Sequence, residues 1–262
     1  MAPPCPWWAP PVLAVQFLTR LPMPMAARLS SQAAAEGLKR SVIWFPLVGA
    51  VIGAITAAVG LTTRLVWSAS VAAVLALAAE ALVTGAFHED AVADFCDGFG
   101  GGRTPDDILR IMKDSRIGSY GAMGLGLAVA LRLGLTASLL SRSDLLTAAG
   151  IIMGASAFGR LGVVALMAVV APAPGSSGLG KALSSDLGLG TLARAALTAL
   201  PGLFLLILLR PGALACALGL AALALMGFRA LLMRRLGGVS GDCLGAFAYG
   251  SQLIALAVMV AA

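Results

Sequence analysis

The chain has 262 residues, of which 60% are hydrophobic and only 11% charged, with a mean hydropathy of +0.96. So few polar groups cannot cover a soluble globule, in which roughly 25% of residues are ordinarily charged, and the composition is that of a multi-pass membrane protein. The net charge of +6 and pI near 9.7 do not indicate nucleic-acid binding, because the basic residues form no continuous patch and aromatics make up only 6%.

The N-terminal Met1-Ala2-Pro3-Pro4-Cys5-Pro6-Trp7-Trp8 lacks a basic leader region, so no cleaved presequence is expected. Seven stretches are then apolar enough to cross a hydrocarbon core of ~30 Å, which takes about 20 helical residues. They run from 42 to 63, 69 to 87, 119 to 140, 147 to 171, 191 to 209, 212 to 232 and 243 to 261, with Pro201 a candidate kink in the fifth. The expected fold is all-α: a polytopic integral membrane helix bundle of about seven transmembrane helices, forming one domain over residues 1–262. Cys5, Cys96, Cys216 and Cys243 show no metal-ligand spacing, and neither zinc nor a disulfide is expected.

Lysine and arginine accumulate on the cytoplasmic side of membrane proteins. With the N-terminus inside, the cytoplasmic segments carry Arg20, Arg28, Lys39, Arg40, Arg103, Arg110, Lys113, Arg116, Lys181, Arg234 and Arg235, against Arg64, Arg142 and Arg210 opposite. The same orientation brings three polar loops, 88 to 118, 172 to 190 and 237 to 242, to one face.

The first of these loops carries the chemistry. Seven of the 12 carboxylates lie between Glu89 and Asp114. Asp90, Asp94 and Asp97, spaced i, i+4, i+7, occupy an arc of roughly 60° on one helix face. Carboxylates so arrayed repel one another unless a cation neutralises them, and Mg²⁺ is the natural occupant, with Mn²⁺ as the alternative; a solvated acidic helix end is the plainer reading. Gly98, Gly100, Gly101 and Gly102 are either an anion cradle closed by Arg103 or only a helix stop. Thr104-Pro105-Asp106-Asp107 is a helix start, opening a short interfacial helix that ends at Lys113-Asp114-Ser115-Arg116. Lys113 and Arg116 either pair with the acids or grip phosphate while Asp114 completes the metal shell. His88 is available for proton transfer, behind the aspartates. The small residues of Gly121-Ala122-Met123-Gly124 serve helix packing. Arg132, Arg160, Arg194, Arg229 and Glu80 lie in or near spans, where a charge needs a partner; Arg160 is either functional or paired to Glu80.

Several ordered motifs together resemble the cobalamin synthase family, the adenosylcobinamide-GDP ribazoletransferases. They are Phe17-Leu18-Thr19-Arg20-Leu21-Pro22, Phe45-Pro46-Leu47-Val48-Gly49, Thr84 through Gly98, Ile111-Met112-Lys113-Asp114-Ser115-Arg116-Ile117-Gly118, Gly159-Arg160, Gly178-Leu179-Gly180, and Gly237-Gly238-Val239-Ser240-Gly241-Asp242-Cys243-Leu244-Gly245-Ala246. The chain departs from the family pattern at Ala91-Val92, where Gly-Leu is usual, and at Tyr249 and Gln252, where acids are expected. The resemblance implies an enzyme of the bacterial inner membrane that joins adenosylcobinamide-GDP to α-ribazole or its 5'-phosphate with Mg²⁺, releasing GMP. Under it, Asp94 and Asp97 are the core candidate metal ligands, with Asp90 and Asp114 as further ligands or, in one case, the base. Arg103, Lys113, Arg116 and Arg160 would hold phosphates, and Asp242 a ribose or lower-ligand group. A CDP-alcohol phosphotransferase shares the start Asp94-x-x-Asp97-Gly98 but not the downstream spacing. An Mg²⁺ or metabolite transporter would place more charge at mid-membrane depth.

Overall fold

The computed structural model describes residues 5–175, 183 and 187–262, and its described regular elements are helices. Before the first span lie α1 (Ala9–Leu18) and α2 (Ser31–Ser41), the latter started by Ser30, whose hydroxyl accepts from Ala33 N. Six helices are long and apolar enough to cross a membrane: α3 (Phe45–Thr63, continuous with α2), α7 (Ser119–Arg142), α8 (Leu145–Val169), α9 (Leu189–Leu209), α10 (Pro211–Arg235) and α11 (Gly241–Ala261); α4 (Ala69–Thr84) makes a seventh only together with the helix that follows it. Each expected span is therefore a helix, and Pro201 stays inside α9. Between α4 and α7 stand α5 (Phe87–Gly101) and α6 (Pro105–Met112). Gly178, Leu179, Gly180 and Lys181 of the Gly-rich loop lie outside the described residues.

Helix α8 forms the centre, packed against α3, α9 and α11. Small residues make this possible: a Cβ on Gly53 would stand 2.7 Å from Met153 Cα, and one on Gly159 2.7 Å from the Ala248 carbonyl oxygen, so larger side chains would push the backbones apart. Helix α10, by contrast, turns most of its apolar side chains outward, as a helix bathed in lipid does.

The second span ends earlier than its hydropathy predicts. Gly85 (φ 70°) and Ala86 (φ 55°) adopt left-handed conformations, and the chain turns by 89° from α4 into α5. Ala86 has a Cβ, so this turn costs roughly 1–2 kcal/mol. It is held by Arg20, whose N–H donates to Val83 O at 2.7 Å and whose side chain covers Gly85 where a Cβ would sit. Helix α5 then runs alongside α7 and the first half of α11, with Glu89 reaching Arg132 midway along α7 and Gly100 meeting Tyr120 at its start.

The end of the bundle at which α5 finishes carries the start of α3, the ends of α8 and α10, and the starts of α7, α9 and α11. The loops after α8 and before α11 are joined there by Ala173 N to Val239 O and Val239 N to Ala171 O, both at 2.9 Å. The glycines after Asp97 form neither flexible stop nor open cradle: Gly98, Gly100 and Gly101 continue α5. A Cβ at Gly98 would meet Met112 Cγ at 2.7 Å and one at Gly100 Tyr120 Cγ at 2.5 Å, so the missing side chains let α6 and α7 close on α5. Helix α6 starts as expected, with Thr104 Oγ1 accepting from Asp107 N at 3.2 Å.

Candidate active site

Helix α5 is fastened along its length, and the fastening uses some of the residues that the sequence offers for chemistry. At its N-terminal end Arg132 of α7 bridges Glu80 of α4 (2.6 Å) and Glu89 of α5 (3.2 Å) across the bend. Thr56 of α3 adds a bond to Glu80 at 2.8 Å. At its C-terminal end the Arg235 guanidinium donates to Gly102 O at 2.8 Å and lies 5.6 Å from the Phe99 ring centroid, a cation placed at the negative end of the helix dipole.

Asp97 is buried, and both its oxygens are engaged: Oδ2 accepts from Gly118 N at 2.7 Å and Oδ1 from Gly121 N at 2.8 Å. These are amide groups at the start of α7, left without intrahelical partners, so Asp97 caps that helix from α5. Gly121 and Gly124 leave room for Asp97 and Cys96, the packing role their composition indicates. Asp114 borders the same cleft as Asp97, together with Arg116 and Tyr120, and is held by Arg116 through Nη2 to Oδ2 at 2.7 Å and Nε to Oδ1 at 3.1 Å. The guanidinium's hydrogen bonds pull this carboxyl down to a pKa of about 2. Among the described residues, no three His, Cys, Asp or Glu side chains converge on a point that one ion could occupy. The four aspartates expected around a metal are thus divided between tasks.

Asp90 and Asp94 remain, and among the described residues neither makes an ion pair. Partial burial pushes the Asp94 carboxyl up to about 7, helped by the negative charges of Asp90, Asp242 and Asp97. Such a group is short of positive charge. Mg²⁺ characteristically binds through one or two carboxylates plus substrate phosphates, without a closed protein cage. The pair Asp90 and Asp94 fits that requirement.

Asp242, in the first turn of α11 behind the Ser240 cap, links these acids to a cavity of about 500 Å³. The exposed Lys113 and half-buried Asp242 border its mouth, and His88, 4% exposed, lies deep within it. The wall is largely apolar and includes Phe17, Phe45 and Phe87.

Arg160 does not line this cavity. It is 2% exposed and donates to Gln252 Oε1 at 2.8 Å and Ser156 Oγ at 3.0 Å, with Glu80 3.8 Å away. Burial within that network, rather than a place among phosphates, is what the structure gives it; Glu80 pairs more closely with Arg132. Arg194 and Arg229 reach backbone carbonyls of Gly190 and Val169 near helix ends, and Arg103 is exposed after α5. The Arg132 to Glu89 bridge escaped sequence reading, although both residues carry the signal of a charge beside a span. The aromatic wall gave no signal, because Phe17, Phe45 and Phe87 are far apart in sequence.

The architecture is an all-α bundle of helices long and apolar enough to cross a membrane, with an acidic helix beside an apolar cavity rimmed by charge. Residues 11–260 match the cobalamin-5-phosphate synthase family, and the chain belongs to it. It is 37% identical over 253 residues to the adenosylcobinamide-GDP ribazoletransferase of Ralstonia nicotianae, covering 95% of this chain and 93% of that protein. The like-named protein of Bradyrhizobium diazoefficiens is 38% identical over 258 residues, covering 95% and 92%. That of Shewanella frigidimarina is 45% identical over 142 residues, about half of each chain. No solved structure matches the chain.

Proposed function

We propose that the protein is an adenosylcobinamide-GDP ribazoletransferase, which joins adenosylcobinamide-GDP to α-ribazole or its 5'-phosphate and releases GMP. The single observation that carries the reading beyond family membership is the junction at Asp242, where an acidic pair needing a cation meets a cavity of nucleoside size. In the reaction the ribazole oxygen bonds to the phosphorus attached to cobinamide, and the bond from that phosphorus to the GMP oxygen breaks.

Asp90 and Asp94 would hold Mg²⁺, which supplies charge neutralisation for the diphosphate and the departing GMP when bound. Lys113 attracts the diphosphate to the mouth of the cavity. Arg116 joins it by exchanging Asp114 for phosphate, since guanidinium matches either oxyanion. Asp242 stands at the cavity rim, where a carboxylate can orient a ribose hydroxyl and accept its proton. Asp97 and Glu89 keep the helix that carries the acids in place. The basic residues flanking the spans support an orientation with this end in the cytoplasm of a bacterial inner membrane.

The test uses purified protein in detergent with adenosylcobinamide-GDP, α-ribazole and Mg²⁺. GMP and cobalamin should form in equal amounts, and chelation should stop both. Absence of product with Mg²⁺ present, or full turnover in chelator, contradicts the reading.

A further inference from the structure

The cavity beside His88 is not assigned to either substrate by the reaction. Its aromatic wall is continuous: Phe45 and Phe17 stack at 5.5 Å with planes 4° apart, Phe87 meets Phe17 edge-on at 5.6 Å, and His88 meets Phe87 edge-on at 5.4 Å. A volume of about 500 Å³ lies in the range that holds one small ligand. Polar groups are few. Ser240 is committed to its helix cap, accepting from Cys243 N, and Lys113 and Asp242 stand at the rim. Deep inside, the polar group is His88, whose imidazole has no hydrogen-bond partner among the described residues.

Three chemical units in the reaction could fill this space. The corrinoid, several times larger than a nucleoside, bears a periphery of amides, and burying amides without partners costs roughly 1–3 kcal/mol each on protein scales. Guanine presents donors and acceptors along two edges, more than one imidazole can match. The base of ribazole is different: a flat, methylated benzimidazole whose free ring nitrogen is a single acceptor. It suits an aromatic slot with one donor in it.

We propose that this cavity is the acceptor site, binding the benzimidazole nucleoside with its base against Phe17, Phe45 and Phe87 and its free ring nitrogen accepting a hydrogen bond from His88. The ribose then points to the rim, with the attacking hydroxyl, one that stays free when the 5'-oxygen carries phosphate, beside Asp242 and toward Asp90 and Asp94. The corrinoid nucleotide stays outside, with its diphosphate at the mouth. This assignment rests on the transferase reading and adds to it which substrate the cavity selects and how.

The test compares wild type, Val163→Phe and His88→Ala in detergent, each assayed for KM with both substrates. Val163 lines the cavity, and the added ring occupies it. Val163→Phe should raise KM for α-ribazole at least ~10-fold, the effect of about 1.4 kcal/mol, and leave that for adenosylcobinamide-GDP within about twofold. His88→Ala should raise KM for α-ribazole about 10-fold, yet leave unchanged that for the riboside of dimethylindole, which lacks the ring nitrogen. That split distinguishes recognition from loss of fold. A rise in the corrinoid KM instead, a rise in both, or no change in either overturns the assignment. Should wild type form no GMP, the transferase reading fails, and equilibrium dialysis of α-ribazole still decides the cavity: binding that His88→Ala weakens supports it, and no binding rejects it.

Discussion

Asp94 and Asp97 stand three residues apart on one helix, and exchanging each for asparagine should separate a binding role from a holding role. In Asp97→Asn the amide oxygen can still accept from Gly118 or Gly121, but the amide nitrogen then faces the other N–H, donor against donor. Wild type makes both bonds, at 2.7 and 2.8 Å, from a side chain that is 9% exposed. A hydrogen bond to a charged group contributes about 1.5–3 kcal/mol and a neutral one about 1, so the exchange should cost on the order of 2–5 kcal/mol. Asp94→Asn has the opposite sign, because it removes a charge that its neighbours oppose; Asp94 is half-buried, and solvent screening on its open side holds the gain to about 1 kcal/mol. The folded state binds the Asp94 proton more tightly than the unfolded chain does. Its contribution is therefore complete below pH ~4 and lost as pH rises through about 7. Thermal unfolding in detergent with chelator should rank Asp97→Asn below wild type at every pH. Asp94→Asn should rank at or above wild type at pH 8 with the advantage gone at pH 4, although it abolishes Mg²⁺-dependent transfer. Asp97→Asn with wild-type stability and undiminished hydrogen-exchange protection at Gly118 and Gly121 would refute the capping argument.

Arg132→Leu should destabilise the protein by about 3–5 kcal/mol, since it strands Glu80 and Glu89 in a buried setting, and the double variant with Glu89→Leu should recover part of that loss in the same unfolding assay. A cysteine at Gly101, where a Cβ meets only Ile111 Cδ1 at 3.6 Å, should be labelled by an impermeant thiol reagent in inverted vesicles and not in intact cells. The reverse pattern overturns the orientation. Arg116→Ala should raise KM for adenosylcobinamide-GDP several-fold with membrane insertion intact, through loss of paired donors to phosphate; an unchanged KM would leave Arg116 only as the partner of Asp114.

The spans were legible because each needs only a long apolar run, a property carried within one segment. The start of α6 was legible for a similar reason: Thr104 and Asp107 are three residues apart and meet without help from the rest of the fold. The break at Gly85 and Ala86 was not, because hydropathy continues through it and the turn is held from outside by Arg20. The acidic stripe shows both outcomes. Helical spacing put Asp90, Asp94 and Asp97 on one face, but only packing reveals that the start of α7 meets Asp97. Gly98 to Gly101 read as a loop because glycine weakens a helix in isolation. Close approach of Met112 and Tyr120 recovers that cost.

The same packing explains which carboxylates are left for chemistry. Helix α5 follows a strained turn, and a short helix after such a turn would swing unless fixed at several points. Glu89 to Arg132 fixes its start, Ala91 against Gly245 its middle, Asp97 its join to α7, and Arg235 its end. Each acid used in this way has its charge compensated by protein. Asp90 and Asp94 are not compensated, and they lie between the fixed points, where the helix moves least. Two acids facing one another on a rigid helix preserve their separation when no cation is present, so a bound ion would find its carboxylates already placed and lose little to reorganisation. The surplus negative charge is thus maintained by the fold at a particular place, next to Asp242 and the mouth of the cavity.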